Sequence, residues 1–527
     1  MNVRTLALIC ALVSVVALLG VEGWKRHEAS IDTARQQRVT ATIDPAPAPL
    51  PAALPLTGSA GTDADGYPLR TVDRPALRSL LWHRRYRELS AYIEQFQSAL
   101  EQDWRQEYWM VYAIGALSTR EQEIEPALDA WVSATPESFA PWLARGAHRI
   151  NAAYALRGVK VAKDTSERDF AAMREALTKG HSDLSQALAI HPRLVTALRE
   201  QIFAHMAVRQ DDERDVAFSK ARIACPHCMQ HRVAYLMTLR PRWGGGYDEM
   251  DAFAQREQDP ENRRTRFLTG YADLDRMDEL RRLKDTDGAL ALADNLCATG
   301  DYVPFLLDRA EVRMAREEWL LAQTDLDRAL HLDPGDSDLL FERTIVALNT
   351  KQWEKAGADL LAGLRVDPAK RRAGEVLEYT MKRLVYEGGQ LYKTGKRDEA
   401  IRLLDLAAEL EPGNAELQQR RAFIVAGTAP SSDARQQADA KATAGPDDFD
   451  ATRQLDYNLA AEGKFDQIID MWSHFLAKHP DHARAHLERG GAYFRSGRRA
   501  EAAVDARRAC ELGLSEGCMR AKQLAGG

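Results

Sequence analysis

Positive charge in excess is what this sequence lacks. Lys and Arg number 71 against 78 Asp and Glu, giving a formal charge of −7 and a pI of about 6.1. A general nucleic-acid binder needs a basic surface, so no nucleic-acid partner is expected. Basic clusters at Arg263-Arg264, Arg281-Arg282-Leu283-Lys284 and Lys370-Arg371-Arg372 lie among acids and read as solvated helix faces. Runs of β-branched residues bounded by turns are scarce, which argues against a strand-rich fold. The 13 histidines form no His-Glu-x-x-His pair, and no Gly-x-Ser-x-Gly elbow occurs. Cysteine is sparse, six in all.

Long apolar runs are also rare, and the one at the N-terminus stands out. Thr5 to Val21 is uncharged, follows Arg4 and ends at Glu22. It reads as a signal anchor, or as a signal peptide cut after Gly23. Lys25-Arg26-His27 suit neither reading well. Residues 24–66 form a Pro/Ala-rich spacer, densest from Asp44 to Gly66. Such composition buries no core and favours an extended tether. The expected location is the cell envelope, anchored in the inner membrane through residues 5–21 and facing the periplasm. The alternative is a periplasmic or secreted chain after cleavage.

Chain length far exceeds what one compact core needs. From Tyr67 onward apolar residues recur at three and four, as on helices, and prolines punctuate the pattern. Pro192, Pro226 and Pro260 are 34 residues apart, as are Pro334 and Pro368, and as are Pro412, Pro446 and Pro480. Upstream residues keep step: Ala322, Leu326 and Ala329 before Pro334; Ala356, Leu360 and Gly363 before Pro368; Ala400, Leu404 and Ala407 before Pro412. Small residues at such offsets let two helices approach closely. Leu384, Gly388 and Leu391 mark a preceding helix, and Gly395 a turn. A 34-residue helix-turn-helix unit of this kind resembles the tetratricopeptide repeat. Met381–Asn414 is the clearest copy. Val303–Asp336 and Ser337–Lys370 follow it, with a further pair over 447–527. The resemblance implies an all-α fold, an α-solenoid of antiparallel helix pairs. Repeats are expected at 286–427, and a linker or degenerate polar repeat at 428–446.

Residues 67–285 are helical but less regular, a divergent repeat domain. The order Trp131-x4-Pro136-x-Ser138, Ala144-Arg145-Gly146, then Pro241-x-Trp243-Gly244-Gly245 resembles the bacterial domain-of-unknown-function 4034 family. That family brings no catalytic residues to carry over. Ser138 fits an N-cap. Trp243-Gly244-Gly245-Gly246 fits a positive-φ turn rather than a phosphate cradle, since no strand precedes it. Arg145-Gly146 and Arg157-Gly158 close a helix or face a groove. The stretch Val159–Lys179 reads as a solvated insertion.

Cys225-Pro226-His227-Cys228 sits where Pro226 is the repeat-ending proline, and Cys228 falls at the next helix start, as Asp336 and Asn414 do. Three readings stand: a structural disulfide, a redox site favoured by the helix N-terminus, or zinc held with His231 and His205 or His227. A thioredoxin-like site would need a strand before its first cysteine, and helix precedes this one. Cys510 and Cys518 flank the next repeat turn and resemble the helix-stapling pairs of Sel1-like repeats. Paired cysteines suggest an oxidising compartment.

By analogy with the repeat family, partners bind the concave face lined by first helices. Its lining here is Leu307, Glu311 and Met314; Phe341, Ile345 and Leu348; Lys382, Val385 and Tyr392; and Leu487, Phe494 and Arg495. The family's Lys/Asn/Arg clamp for acidic C-termini is missing, and the mixed apolar lining suits an amphipathic or extended peptide. The expected function is a non-enzymatic envelope scaffold with a protein partner and no cofactor, catalytic residue or metal. The alternative is a thiol-disulfide or zinc-dependent factor using Cys225 and Cys228.

Overall fold

A computed structural model describes residues 55–120, 124–157, 165–426, 449–461 and 464–525. The apolar run Thr5–Val21 and the polar stretch 428–446 lie outside them. Among the described residues no helix is long and apolar enough to cross a membrane. Contacts divide the chain into two compact units, Met1–Arg421 and Ala422–Gly527. Both sides of the boundary expected near residue 285 lie in unit 1.

Unit 1 opens with an antiparallel ribbon of β1 (Leu56–Thr57) and β2 (Thr71–Val72), in which Leu56 pairs with Val72. Helices α1 (Arg74–Trp82), α2 (Tyr86–Gln102), α3 (Glu107–Ala116), α4 (Ile124–Ala134) and α5 (Phe139–Arg157) follow. Next come α6 (Glu167–Ile190), α7 (Val195–Val208), α8 (Asp211–Ala224), α9 (Gln230–Thr238) and α10 (Tyr247–Arg256). The regular array is α11 (Tyr271–Arg282), α12 (Thr286–Ala298), α13 (Val303–Ala315), α14 (Trp319–Leu332), α15 (Ser337–Asn349) and α16 (Trp353–Val366). It continues through α17 (Arg371–Lys393), α18 (Arg397–Leu410) and α19 (Ala415–Ala426). Unit 2 holds α20 (Phe449–Ala461), α21 (Phe465–Lys478), α22 (Ala483–Arg495), α23 (Arg499–Glu511) and α24 (Ser515–Ala525). The fold is an all-α solenoid of helix pairs.

First helices α13, α15 and α17 start at Val303, Ser337 and Arg371, in the 34-residue phase of the prolines. The clearest sequence copy begins ten residues into α17, which is 23 residues long. Helices of a pair meet at small residues. Ala322, Leu326 and Ala329 are fully buried, and a Cβ on Gly363 would lie 2.6 Å from the Phe341 ring. Asp336 caps α15 by accepting from Asp338 N at 2.8 Å and Leu339 N at 3.2 Å.

Many of the described turns inside a pair use one left-handed residue. It is Gly395 (φ 82°) between α17 and α18 and Gly497 (φ 84°) in unit 2, but Arg84 (φ 56°), Arg209 (φ 55°), Lys284 (φ 61°), Glu317 (φ 61°) and Lys351 (φ 58°) at others. Those five long side chains occupy a conformation that favours glycine. Gly244 likewise has φ 99°, the positive-φ turn expected beside Trp243.

A second periodicity binds the pairs electrostatically. Arg343 on α15 donates to Asp359 on α16 at 2.7 Å from two nitrogens and to Asp327 on α14 at 2.8 Å. Arg309 joins Asp325 and Asp294, Arg145 joins Asp183 and Asp129, and Arg489 joins Asp505 and Ser473. Each arginine lies nine residues past a repeat punctuation point: Gly300, Pro334, Pro136 and Pro480. Bidentate arginine–carboxylate geometry fixes both helices of a pair and the preceding one. Arg145-Gly146 thus lies inside α5 rather than ending a helix, and Gly146 lets Leu184 of α6 approach, since a Cβ there would meet it at 2.9 Å. Much of the expected insertion belongs to α6, which at 24 residues is the longest helix among the described residues.

Candidate functional site

The Cys225–Cys228 turn is the first candidate. The two cysteines are disulfide-bonded, with Cα atoms 5.5 Å apart. Cys225 is 8% exposed and Cys228 is fully buried. The disulfide leaves no thiolate pair for zinc in this state, and both cysteines are buried, so the structure adds no support to the thiol-disulfide or zinc reading. His231 is buried against Phe218 with ring centroids 5.6 Å apart. Burial holds its pKa well below the ordinary value, with Arg232 and Arg222 adding to the effect. His227 instead faces Asp259 at 2.9 Å.

Cys228 does not cap the next helix. Glu107, at the start of α3, does so from outside. Its carboxylate accepts from Met229 N and Gln230 N at 2.8 Å each, and from the Tyr67 hydroxyl at 2.9 Å. Glu107 is fully buried. Burial raises its pKa against the pull of these donors.

Tyr67 directly follows residues 55–66, which the composition marks as part of a tether. The structure corrects this for residues 55–66, which are folded into unit 1. Asp63 pairs with Arg264, and Asp65 with Arg266 at 2.7 Å. The Arg264 guanidinium lies 3.6 Å from the Tyr67 ring centre. Asn262 donates to the Tyr67 hydroxyl at 2.8 Å and to the His227 carbonyl at 2.7 Å. Just beyond, Arg74 donates to the Gly335 carbonyl and meets Asp333 at 2.8 Å. Gly58 approaches Pro334, 3.1 Å from where its Cβ would sit. The segment thus crosses successive inter-repeat turns near residues 227, 262 and 334. Arg264, read as solvated from sequence, is instead enclosed by the segment. A cavity of ≈ 460 Å³ remains between residues 62–65 and the next turn, at Gly300, Asp301, His331 and Leu332.

The first-helix face differs from its expected lining. Phe341 and Leu348 on α15 are fully buried in the packing between helices and are not free to meet a partner. Leu487 on α22 is buried too, at 9% exposure. Leu307, Glu311 and Met314 on α13, Ile345 on α15, and Val385 and Tyr392 on α17 are half-buried, and Lys382 is exposed. In unit 2 Phe494 is exposed, and Arg495 lies over Phe465 at 5.6 Å.

Ion pairs cross this face in unit 1. Arg281 on α11 meets Asp308 at 2.7 Å and Glu311 on α13, and Arg372 on α17 meets Glu342 on α15 at 2.8 Å. These are the other two basic clusters read as solvated. Burial pushes the Asp308 carboxyl up to about 6, against the nearby Arg281 and with help from Glu311 and Asp278. The face is therefore a charged, half-buried surface rather than a mainly apolar groove.

The second cysteine pair, Cys510–Cys518, is disulfide-bonded and joins α23 to α24. Cys297 is a buried free thiol. Burial raises its pKa to about 11, leaving it unreactive at neutral pH.

Residues 73–212 match the family model described as a domain of unknown function, DUF4034. No curated protein matches the chain. Among solved structures, the TPR domain of P58(IPK) is 17% identical, over 82% of this chain and 98% of that one, with a TM-score of 0.20. A tetratricopeptide repeat protein from Parabacteroides merdae is 15% identical over 62% and 99%, with a TM-score of 0.26. PilF of Pseudomonas aeruginosa is 16% identical over 38% and 89%, with a TM-score of 0.24.

Proposed function

We propose that this chain is a non-enzymatic interaction scaffold of the bacterial cell envelope, whose solenoid units hold segments of partner proteins. The observation that carries the reading is the run of half-buried and exposed side chains on successive first helices. It extends from Leu307, Glu311 and Met314 through Ile345 to Lys382, Val385 and Tyr392. Such a surface already spends part of its solvation, so a segment laid on it displaces little water from fully exposed charge. The mixture of aliphatic side chains with Asp308, Glu311 and Glu342 suits an amphipathic partner carrying Lys or Arg. Two buried or half-buried disulfides, both at inter-repeat turns, support an oxidising compartment. An envelope location with the N-terminal run 5–21 as anchor, or a periplasmic one after cleavage, is part of the proposal.

The test is in-cell photocrosslinking from single positions. Probes at Met314 and Lys382 should yield discrete protein adducts, and a probe at exposed Leu320 on the second helix α14 should not. Equal adducts from all three, or none from Met314 and Lys382, would remove the first-helix face from the proposal. Protection of the introduced thiol in Ser30→Cys from an outer thiol reagent would argue against a periplasmic location.

A further inference from the structure

We propose that residues 55–73 are a displaceable latch, and that the row of inter-repeat turns beneath them is a docking surface. The surface takes a compact Asp-x-Asp-Gly-Tyr turn: the chain's own in this structure, and a partner segment of the same chemistry when the latch is out. It lies on the turn edge of unit 1 and stands independently of the first-helix face.

The latch is built like a bound ligand. Its conformation is held internally: Asp63 Oδ1 accepts from Asp65 N and Tyr67 N at 2.9 Å each, and Asp63 N donates to the Tyr67 carbonyl at 2.8 Å. That leaves the second Asp63 oxygen for Arg264 and the Asp65 carboxylate for Arg266. Tyr67 then enters a polar socket of Glu107 and Asn262, with Arg264 against its face. The recognition set comes from two separate parts of the chain: Glu107 of α3, and the 3-10 segment Arg263–Gly270 with its N-cap Asn262, which carries both arginines. A preorganised turn loses little conformational freedom on docking, which favours reversible binding through few contacts.

Its apolar burial lies at the two ends. Pro55 is buried at one, and Tyr67, Leu69 and Val72 at the other, with Val72 in the main core. Between them Thr57 to Thr62 and Ala64 are exposed. Residues 57–66 are therefore held mainly by the two ion pairs, and such a hold yields to a competitor bearing the same groups. The latch also lies between the upstream 54 residues and the first helix, so any pull on the N-terminus reaches it before α1.

The double substitution Asp63→Asn with Asp65→Asn keeps shape and removes both charges. In the full chain, hydrogen exchange over residues 56–72 should rise at least tenfold, while amides of α13 to α16 stay as protected as before. A labelled peptide of residues 55–73, added in trans, should bind this variant and not the unsubstituted protein. The same peptide with Asn at both Asp positions should bind neither. Three outcomes overturn the proposal. Unchanged exchange over 56–72 means the charges do not hold the latch. Release without peptide binding means the edge is no docking surface. Lost protection throughout α13 to α16 means the segment is an inseparable part of the core.

Discussion

Units 1 and 2 use one plan and finish it differently. Both stack helix pairs, both clamp them with an arginine nine residues past a punctuation point, and both carry a disulfide at an inter-repeat turn. Unit 1 adds elements from outside the repeat: Glu107 caps α9, and residues 55–74 bind across turns as far as Gly335. Unit 2 relies on a small aromatic core around Trp472 and Phe475, within Ile468, Ile469 and Leu476. The difference teaches that a repeat supplies pairwise stability by itself, whereas closing a larger array depends on contacts distant in sequence.

Breaking the shared clamp should have the largest effect. Asp325 is fully buried and holds both Arg309 and Arg313, each within 2.6 Å. Asp325→Ala should cost about 3–5 kcal/mol, because two partly buried guanidinium groups lose their carboxylate. Asp505→Ala removes the partner of Arg489 and His486 in unit 2 and should cost a similar amount. Calorimetry should show the first variant lowering one transition and the second lowering another. A single transition moving in both variants would mean that the two units melt as one.

The disulfides sharpen the contrast. Serine at both Cys510 and Cys518, or at both Cys225 and Cys228, should cost roughly 2 kcal/mol by loop closure. Equal losses have unequal consequences. Unit 2 has the smaller core and should lose its α24 contacts well below the melting point of unit 1, whereas the turn at Cys225 remains held by Glu107. Limited proteolysis reads this directly, and early cleavage near residue 226 would contradict it.

A smaller effect is pH-dependent and belongs to unit 1. The folded pKa of Asp308 is raised to about 6 from an ordinary value of 3.8. The folded state then binds the proton more tightly than the unfolded one. Asp308 therefore favours folding below pH ~4, and that contribution is lost as pH rises to about 6. Asp308→Asn should flatten the stability of unit 1 across this window by on the order of 1 kcal/mol. An identical slope in the variant would show that the other acids of the face dominate.

The smallest contrast lies in the turns. Lys351 has φ 58° where unit 2 has Gly497 at φ 84°. Lys351→Gly should stabilise unit 1 by about 0.5 kcal/mol, and Gly497→Lys should destabilise unit 2 by about 1 kcal/mol. Thermal melts of the two variants shifting in the same direction would refute the argument.

Much of the fold is legible because it is local. The proline phase, the small residues at Ala322 and Ala329, and the caps at Asp336 and Asn414 each act within one repeat. The arginine clamp was equally legible and lies in plain offsets. Arg309, Arg343 and Arg489 each stand sixteen residues before Asp325, Asp359 and Asp505. Searching for apolar faces alone passes over it. The partner face was legible only in part. Position within a repeat places Phe341 and Leu348 on a first helix, but the approach of the neighbouring helix decides that they are buried. Glu107 leaves one trace, a lone carboxylate at the head of the apolar stretch Tyr108–Ile114.

Sequence by itself determined the helical repeat, its phase, and the placing of two pairs of cysteines at its turns. Periodicity and turn chemistry are properties of neighbouring residues, and these neighbours agree with one another. Tertiary structure alone decided that Pro55–Gly66 folds back as a latch, that Arg264 is enclosed rather than solvated, and that Glu107 caps a helix more than a hundred residues away. Each of these depends on charges brought together across long stretches of chain. Their cost or gain is set by burial in the folded array, which no local pattern records.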